Sequence, residues 1–382
     1  MVSLSSFKSI KKPFRRYLNS RKVKPTDSIL YITYRCTSRC STCNIWKWTK
    51  GRLKESKNSE ISLNEWNQVV ENLYDNGIRS IELFGGDALL RKDVVYSIIK
   101  KCSKLGIETY FPTNSNLLDK ETANNLVLGN LGTIYFSVDG VDELHDNIRG
   151  IDRSYERFED AIFNVYNLRS KYHKKRPQII GLTTVSNMNA DNIEFLISEF
   201  KNLPFDFIYL RALGEISQED IKHSSIEGIM AKPPFMSTSG QSHLLSKEQA
   251  MNLSKSIKRL RSKRSELPFY LTLSHLESFD TDTYTKGVFP LFPCNLCRTV
   301  ITMTPYGEVV PCPMFSDFIL GNLLEEDLCR IWGNDKHRKF LAKQCNGEFA
   351  ICRKCNMSHF YPGPTETFHQ IFYPYLHPSK YS

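Results

Sequence analysis

Eleven cysteines in 382 residues fall at ligand-like spacings. The densest run is Cys36-Thr-Ser-Arg-Cys40-Ser-Thr-Cys43. Three thiolates from one short loop can ligate three corners of an iron–sulfur cube, leaving the fourth iron open to a small molecule. A second set lies far downstream: Cys294-Asn-Leu-Cys297, then Cys312, then Cys352-Arg-Lys-Cys355. Two Cys-x2-Cys pairs are also the ordinary spacing of a structural zinc site, so zinc stands as the alternative metal. In a large chain without the apolar core of an export signal, such thiols read as metal ligands and not as disulfides. Cys102 and Cys329 read instead as thiols packed under helices.

Six short β-branched or aromatic runs must position these groups: 29–33, 80–84, 108–112, 133–138, 178–185 and 207–210. Between them, segments near 63–76, 93–104, 120–128, 155–171 and 192–202 carry apolar residues at three- and four-residue spacing, the mark of amphipathic helices. Strand and helix in alternation imply parallel pairing with right-handed crossovers, hence an α/β fold built as an open or partly closed barrel. Functional groups in such folds lie just beyond the carboxyl ends of the strands. Cys36, Gly85, Thr113 and Asp139 all fall there.

Residues 27–213 thus read as the barrel. The pattern weakens over 214–289, a connector and a candidate substrate wall. A compact Cys-rich domain follows over 290–360, with a hairpin expected around Pro305-Tyr306-Gly307. The tail 361–382 is aromatic-rich. The formal charge of +10 is concentrated at the start: residues 1–26 hold eight Lys and Arg and no acid. That argues against a body-wide polyanion surface and confines any contact with an acidic partner, RNA or a membrane surface to this arm. No apolar run is long enough to span a bilayer, and the expected location is the cytoplasm.

The Cys36/Cys40/Cys43 spacing after a first strand resembles the signature of the radical S-adenosylmethionine (SAM) superfamily. The resemblance implies a partial (β/α)6 TIM-like barrel, a SAM-binding [4Fe-4S] cluster and SAM itself. Gly85-Gly86-Asp87 is similar to the family's Gly-Gly-Glu segment, which receives the SAM ammonium. Thr113-Asn114, Ser137 and Asp139 stand where the family contacts the SAM carboxylate and ribose. Arg149 is a candidate carboxylate partner, with a pairing to Asp139 or Asp146 as the plainer alternative, and Asn189 is either a helix cap or a further SAM contact. Cys294-x2-Cys297, Gly307-x4-Cys312, Gly321-Asn322-Leu323 and Cys352-x2-Cys355 resemble the SPASM or twitch extension. That likeness implies one auxiliary [4Fe-4S] cluster on Cys312, Cys352, Cys355 and either Cys294 or Cys297. The activity so implied is reductive cleavage of SAM to a 5′-deoxyadenosyl radical that abstracts hydrogen from a peptide or a sugar-like small molecule. An electron donor such as flavodoxin or ferredoxin would serve it, and the auxiliary cluster would aid oxidation or anchor substrate. The rival reading is a non-catalytic zinc or iron–sulfur metalloprotein that binds RNA through its basic arm.

Overall fold

The structure, a computed structural model, describes residues 24–48, 59–234, 240–277, 279–289 and 294–357. The aromatic tail and nearly all of the basic arm lie outside these residues.

Six parallel strands form the frame: β1 (Asp27–Tyr31), β2 (Ser80–Phe84), β3 (Glu108–Thr113), β4 (Thr133–Ser137), β5 (Gln178–Val185) and β6 (Phe207–Ala212). Helices α1 (Leu63–Asp75), α2 (Lys92–Leu105), α3 (Lys120–Leu128), α4 (Asp142–Arg149), α5 (Ser154–Lys171) and α6 (Ile193–Glu199) fill the crossovers. In α1, Trp66, Val69, Val70 and Leu73 recur at helical spacing and are fully buried, each side chain contributing about 1.5–3 kcal/mol. Ser62 and Glu65 close its start as a reciprocal capping box. Under α5, Arg169 and Asp206 form a buried ion pair at 2.6 Å, completed by Ile179 N–H and the Pro177 carbonyl.

Strand alternation sorts side chains onto two faces. Leu30, Leu83, Phe111, Ile134, Phe136, Ile179, Ile208 and Leu210 face the helices in one core cluster. The other face carries Ile29 and Tyr31, then Tyr135, Ile180, Leu182, Phe207, Tyr209 and Tyr270, in two smaller clusters inside the open barrel.

Apart from a separate ribbon of β7 (Ser225–Ile226) and β8 (Ile229–Met230), later strands β9 (Tyr270–Thr272), β10 (Val300–Met303), β11 (Glu308–Val310) and β12 (Gly321–Asn322) extend the sheet past both ends of the expected six, in the order β12-β11-β10-β1-β2-β3-β4-β5-β6-β9. Strand β9, from the presumed connector, adds parallel to β6. Strand β10 pairs parallel to β1, and β11 and β12 continue antiparallel from it. The C-terminal hairpin is therefore hydrogen-bonded into the barrel sheet, with its turn where the sequence places it.

Candidate functional site

The loop that carries Cys36, Cys40 and Cys43 leaves β1 and is clamped by the ends of β2, β3 and α4. From β2, Gly86 N–H donates to Thr33 O (2.9 Å) and Asp87 N–H to Arg35 O (2.7 Å). The approach is so close that a Cβ on Gly86 would meet Arg35 O at 2.2 Å, a contact only glycine allows. The Asp87 carboxylate is buried, accepting from Thr37 Oγ1 (2.6 Å) and Leu89 N–H (3.1 Å). Burial raises its pKa against those two bonds. From β3, Asn114 Nδ2 donates to Thr37 Oγ1 and Ser38 Oγ, both at 3.0 Å, and lies 3.8 Å from Cys36 Sγ. Thr113 Oγ1 accepts from Ser115 N–H and shapes that turn. Asn116, which sequence reasoning passed over, adds donors to Thr37 and Ser38. Only its place after a strand end could have marked it.

From α4, the last carbonyls, Ile148 O and Arg149 O, accept from Ser41 and Arg39 N–H. The Arg149 guanidinium lies 2.7 Å from Asp139 Oδ2 and 3.8 Å from Cys40 Sγ. Of the two carboxylates weighed for it, Asp139 is the partner. Asn189 is buried and fully engaged, accepting from Ser186 N–H and donating to the carbonyls of Asp139 and Thr184. It fastens the loops after β4 and β5; it stands at the N-cap position of a 3-10 turn (Ala190–Asn192), but its side chain makes no capping bond. Ser137 closes β4, half-buried on the inward face. A cavity of about 230 Å³ adjoins Asp139 and Asn189, lined also by Val141, Leu144, Phe195 and Leu196.

The downstream cysteines lie near one another, Cys312 facing Cys294, Cys352 and Cys355, and the last of them lies close to the carboxyl end of β6. Asn356, between Cys355 and Met357, donates to Ala212 O at 2.7 Å. Cys294 and Cys312 pack with Cys43 and Met357 against one apolar cluster holding Tyr31, Tyr34, Ile45 and Leu296. The two cysteine sets thus flank a shared aromatic partition, in which Tyr34 stands 5.4 Å from Tyr31 and 5.1 Å from Trp48. Cys297 is fully buried, with its Sγ 3.2 Å from Cys294 O and 3.9 Å from Gln344. Cys345 is exposed against Arg298. Cys102 is buried under α2 as expected, whereas Cys329 is exposed and packs under nothing.

The donor chemistry suits iron–sulfur clusters. Burial, then neighbouring thiols, push Cys36, Cys43 and Cys352 up to about 12. Cys294 is the exception, drawn down to about 7 by the hydrogen bond from Cys297; for the raised thiols, binding a metal would couple to proton release. Among the described residues no three Cys, His, Asp or Glu close around a single ion. A cube carries its ligands on separate irons and accepts a wider set.

The radical SAM superfamily profile matches residues 30–207, and the SPASM profile, an iron–sulfur cluster-binding domain, matches residues 294–356. The chain belongs to the radical SAM superfamily. It is a radical SAM enzyme with a C-terminal SPASM domain, and SAM and iron–sulfur clusters are its cofactors. It is 28% identical over 239 residues to the GTP 3′,8-cyclase of Alkaliphilus metalliredigens, covering 58% of this chain and 68% of that protein. It is 29% identical over 134 residues to the PqqA peptide cyclase of Bradyrhizobium diazoefficiens, covering 35% and 34%. The match spans 68% of the first relative's length and 34% of the second's. In fold it is similar to Streptococcus suis SuiB bound to precursor peptide SuiA, with a TM-score of 0.59 at 15% identity over 93% of this chain and 78% of that one. Among the described residues no helix is long and apolar enough to cross a membrane.

Proposed function

We propose that this radical SAM enzyme modifies a peptide, with Cys36, Cys40 and Cys43 holding the SAM-binding [4Fe-4S] cluster. The observation that carries the site is that one loop holds all three thiols and is itself held from three sides by Asp87, Asn114, Asn116 and α4. Held there, the cluster would supply reductive cleavage of SAM to methionine and a 5′-deoxyadenosyl radical, the chemistry needed to take hydrogen from an unactivated carbon. Asp87 and Asn114 fix the loop, and the inward face of the barrel excludes water from the reacting carbon with Tyr31, Phe84, Tyr135, Leu182 and Tyr209.

Support for a peptide comes from the cavity wall and the relatives. Along the inward-facing positions of β1–β6 the strands contribute one cation, Arg211, and several aromatic and apolar side chains. Several aromatic rings on that face suit apolar side chains of a peptide. PqqA peptide cyclase and the sporulation killing factor maturation protein SkfB of Bacillus subtilis are similar in sequence. An auxiliary [4Fe-4S] cluster on Cys294, Cys312, Cys352 and Cys355, with Cys297 behind it in the core, would sit across the aromatic partition from the first. An acidic one-electron carrier such as flavodoxin or ferredoxin would supply the electron.

The test is anaerobic reconstitution of the parent and of Cys40→Ala, with 5′-deoxyadenosine and iron measured on both. The parent is expected to form 5′-deoxyadenosine under reduction, and Cys40→Ala to form none while keeping about four irons on the C-terminal set. Equal 5′-deoxyadenosine from both proteins would overturn the cysteine assignment.

A further inference from the structure

Two cysteines of the first loop have a side-chain N–H near sulfur, and the donors differ in charge. Asn114 Nδ2 is 3.8 Å from Cys36 Sγ, and Arg149 Nη1 is 3.8 Å from Cys40 Sγ. The guanidinium is largely, not wholly, withdrawn from solvent, and its other terminal nitrogen is 2.7 Å from Asp139 Oδ2. Asp139 is itself fixed on every side. Thr184 N–H donates to its Oδ1 (2.7 Å), Asn189 Nδ2 to its carbonyl (2.8 Å), and its own N–H donates to His145 Nδ1 (3.3 Å). A buried arginine costs several kcal/mol unless paired, and Asp139 supplies the pairing. Cys40 sulfur therefore receives a charge-assisted donor whose field the carboxylate behind it largely cancels.

We propose that the Asp139–Arg149 pair sets how readily the cluster on Cys36, Cys40 and Cys43 accepts an electron, with Arg149 easing reduction through Cys40 Sγ and Asp139 restraining that effect. The inference rests on those three cysteines holding the cluster. Reduction adds one electron from an external one-electron reductant and breaks no bond, so negative charge builds on iron and sulfur. Donors at sulfur stabilise that more negative state, and burial strengthens them. Removing the guanidinium makes reduction harder. Removing the carboxylate charge makes it easier. A pair that merely braced the loop would give loss of iron from either variant and no opposed shifts, so Arg149 and Asp139 act here as positioning residues with an electrostatic signature.

Arg149→Gln, Arg149→Lys and Asp139→Asn are made in the full chain, reconstituted anaerobically without SAM, and titrated with dithionite under EPR. The relevant signal is the one absent from Cys36→Ala/Cys40→Ala/Cys43→Ala protein. At a fixed poise, Arg149→Gln is expected to lower the ratio of reduced to oxidised cluster about tenfold, which is 59 mV for one electron. Asp139→Asn is expected to raise that ratio severalfold, and Arg149→Lys, which keeps the charge, to fall between parent and Arg149→Gln. Shifts of the same sign in Arg149→Gln and Asp139→Asn, or parent potentials in fully loaded variants, would overturn the proposal. If Arg149→Gln loads no iron, the other two variants decide: parent potentials in both refute it, and an upward shift in Asp139→Asn supports it. A parent without iron on the first loop would overturn the cysteine assignment and this proposal together, and the iron count tells that failure apart.

Discussion

Gly86→Ala adds one methyl group at the point where β2 meets the cysteine loop. Its Cβ would lie 2.2 Å from Arg35 O, 2.6 Å from Arg35 C and 2.8 Å from Tyr34 O. All three are backbone atoms, so no rotamer can relieve the clash. Reaching an ordinary contact of 3.4 Å requires the two segments to part by about 1 Å. That movement breaks the Gly86–Thr33 and Asp87–Arg35 bonds. Overpacking costs about 1–3 kcal/mol and each lost bond about 1 kcal/mol, so the expected destabilisation is about 3–5 kcal/mol. The same shift draws Asp87 from Thr37 and moves Cys36. Urea unfolding of the metal-free chain reads the stability, and iron after reconstitution reads the loop, where the first-loop cluster should be lost and the C-terminal one retained. Gly77→Ala is the control: its φ is +86° with no atom within 4 Å, so it should cost about 1 kcal/mol of backbone strain and no iron. A Gly86→Ala protein within about 1 kcal/mol of the parent, carrying both clusters, would refute the steric argument.

Arg169→Ala strands Asp206 in the core beneath α5, and urea unfolding should show a loss of about 3–5 kcal/mol. Burial, then the Arg149 charge, hold the His145 imidazole well below its usual pKa of 6.5. As pH falls below about 6.5 the unfolded chain binds a proton that the folded one refuses, so stability drops by up to about 1.4 kcal/mol per pH unit. Unfolding midpoints of parent and His145→Asn from pH 7 to 5 check this, since the variant should show a flatter acid limb.

The barrel was legible because each element is long enough to show its period. Strand β3 alternates between buried and half-buried over its six residues, and α1 repeats its buried face over thirteen. Helix α4 went unread because its eight residues bury only His145 and Ile148, leaving no apolar stripe. The three residues of β9 are too few to alternate. Pairing of β10 with β1 leaves no trace in either strand, because main-chain hydrogen bonds are indifferent to side-chain type. At the site, cysteine spacing found the ligand candidates. The roles of Asp87, Asn114 and Asn189 in holding the loops came only from geometry, since a polar residue after a strand reads alike whether it meets a ligand or a neighbouring turn. Arg149 shows the same ambiguity: its pairing with Asp139 was one of two alternatives in the sequence, and its reach to Cys40 was in neither.

Strand β1 has β2 on one side and β10 on the other, so the strand that leads into the first cysteine loop is flanked by partners about fifty and about 270 residues away along the chain. Just beyond the loop, Ile61 N–H also bonds to Pro305 O. Synthesis is vectorial. While a ribosome is still making the middle of the protein, β1 has one open edge and the loop after it has no C-terminal backing. Pairings this remote close late, and the first metal site reaches its final form only after residues near 305 have emerged. Loss of the segment around Val300–Pro305 would therefore disarm a metal site whose cysteines lie near residue 40.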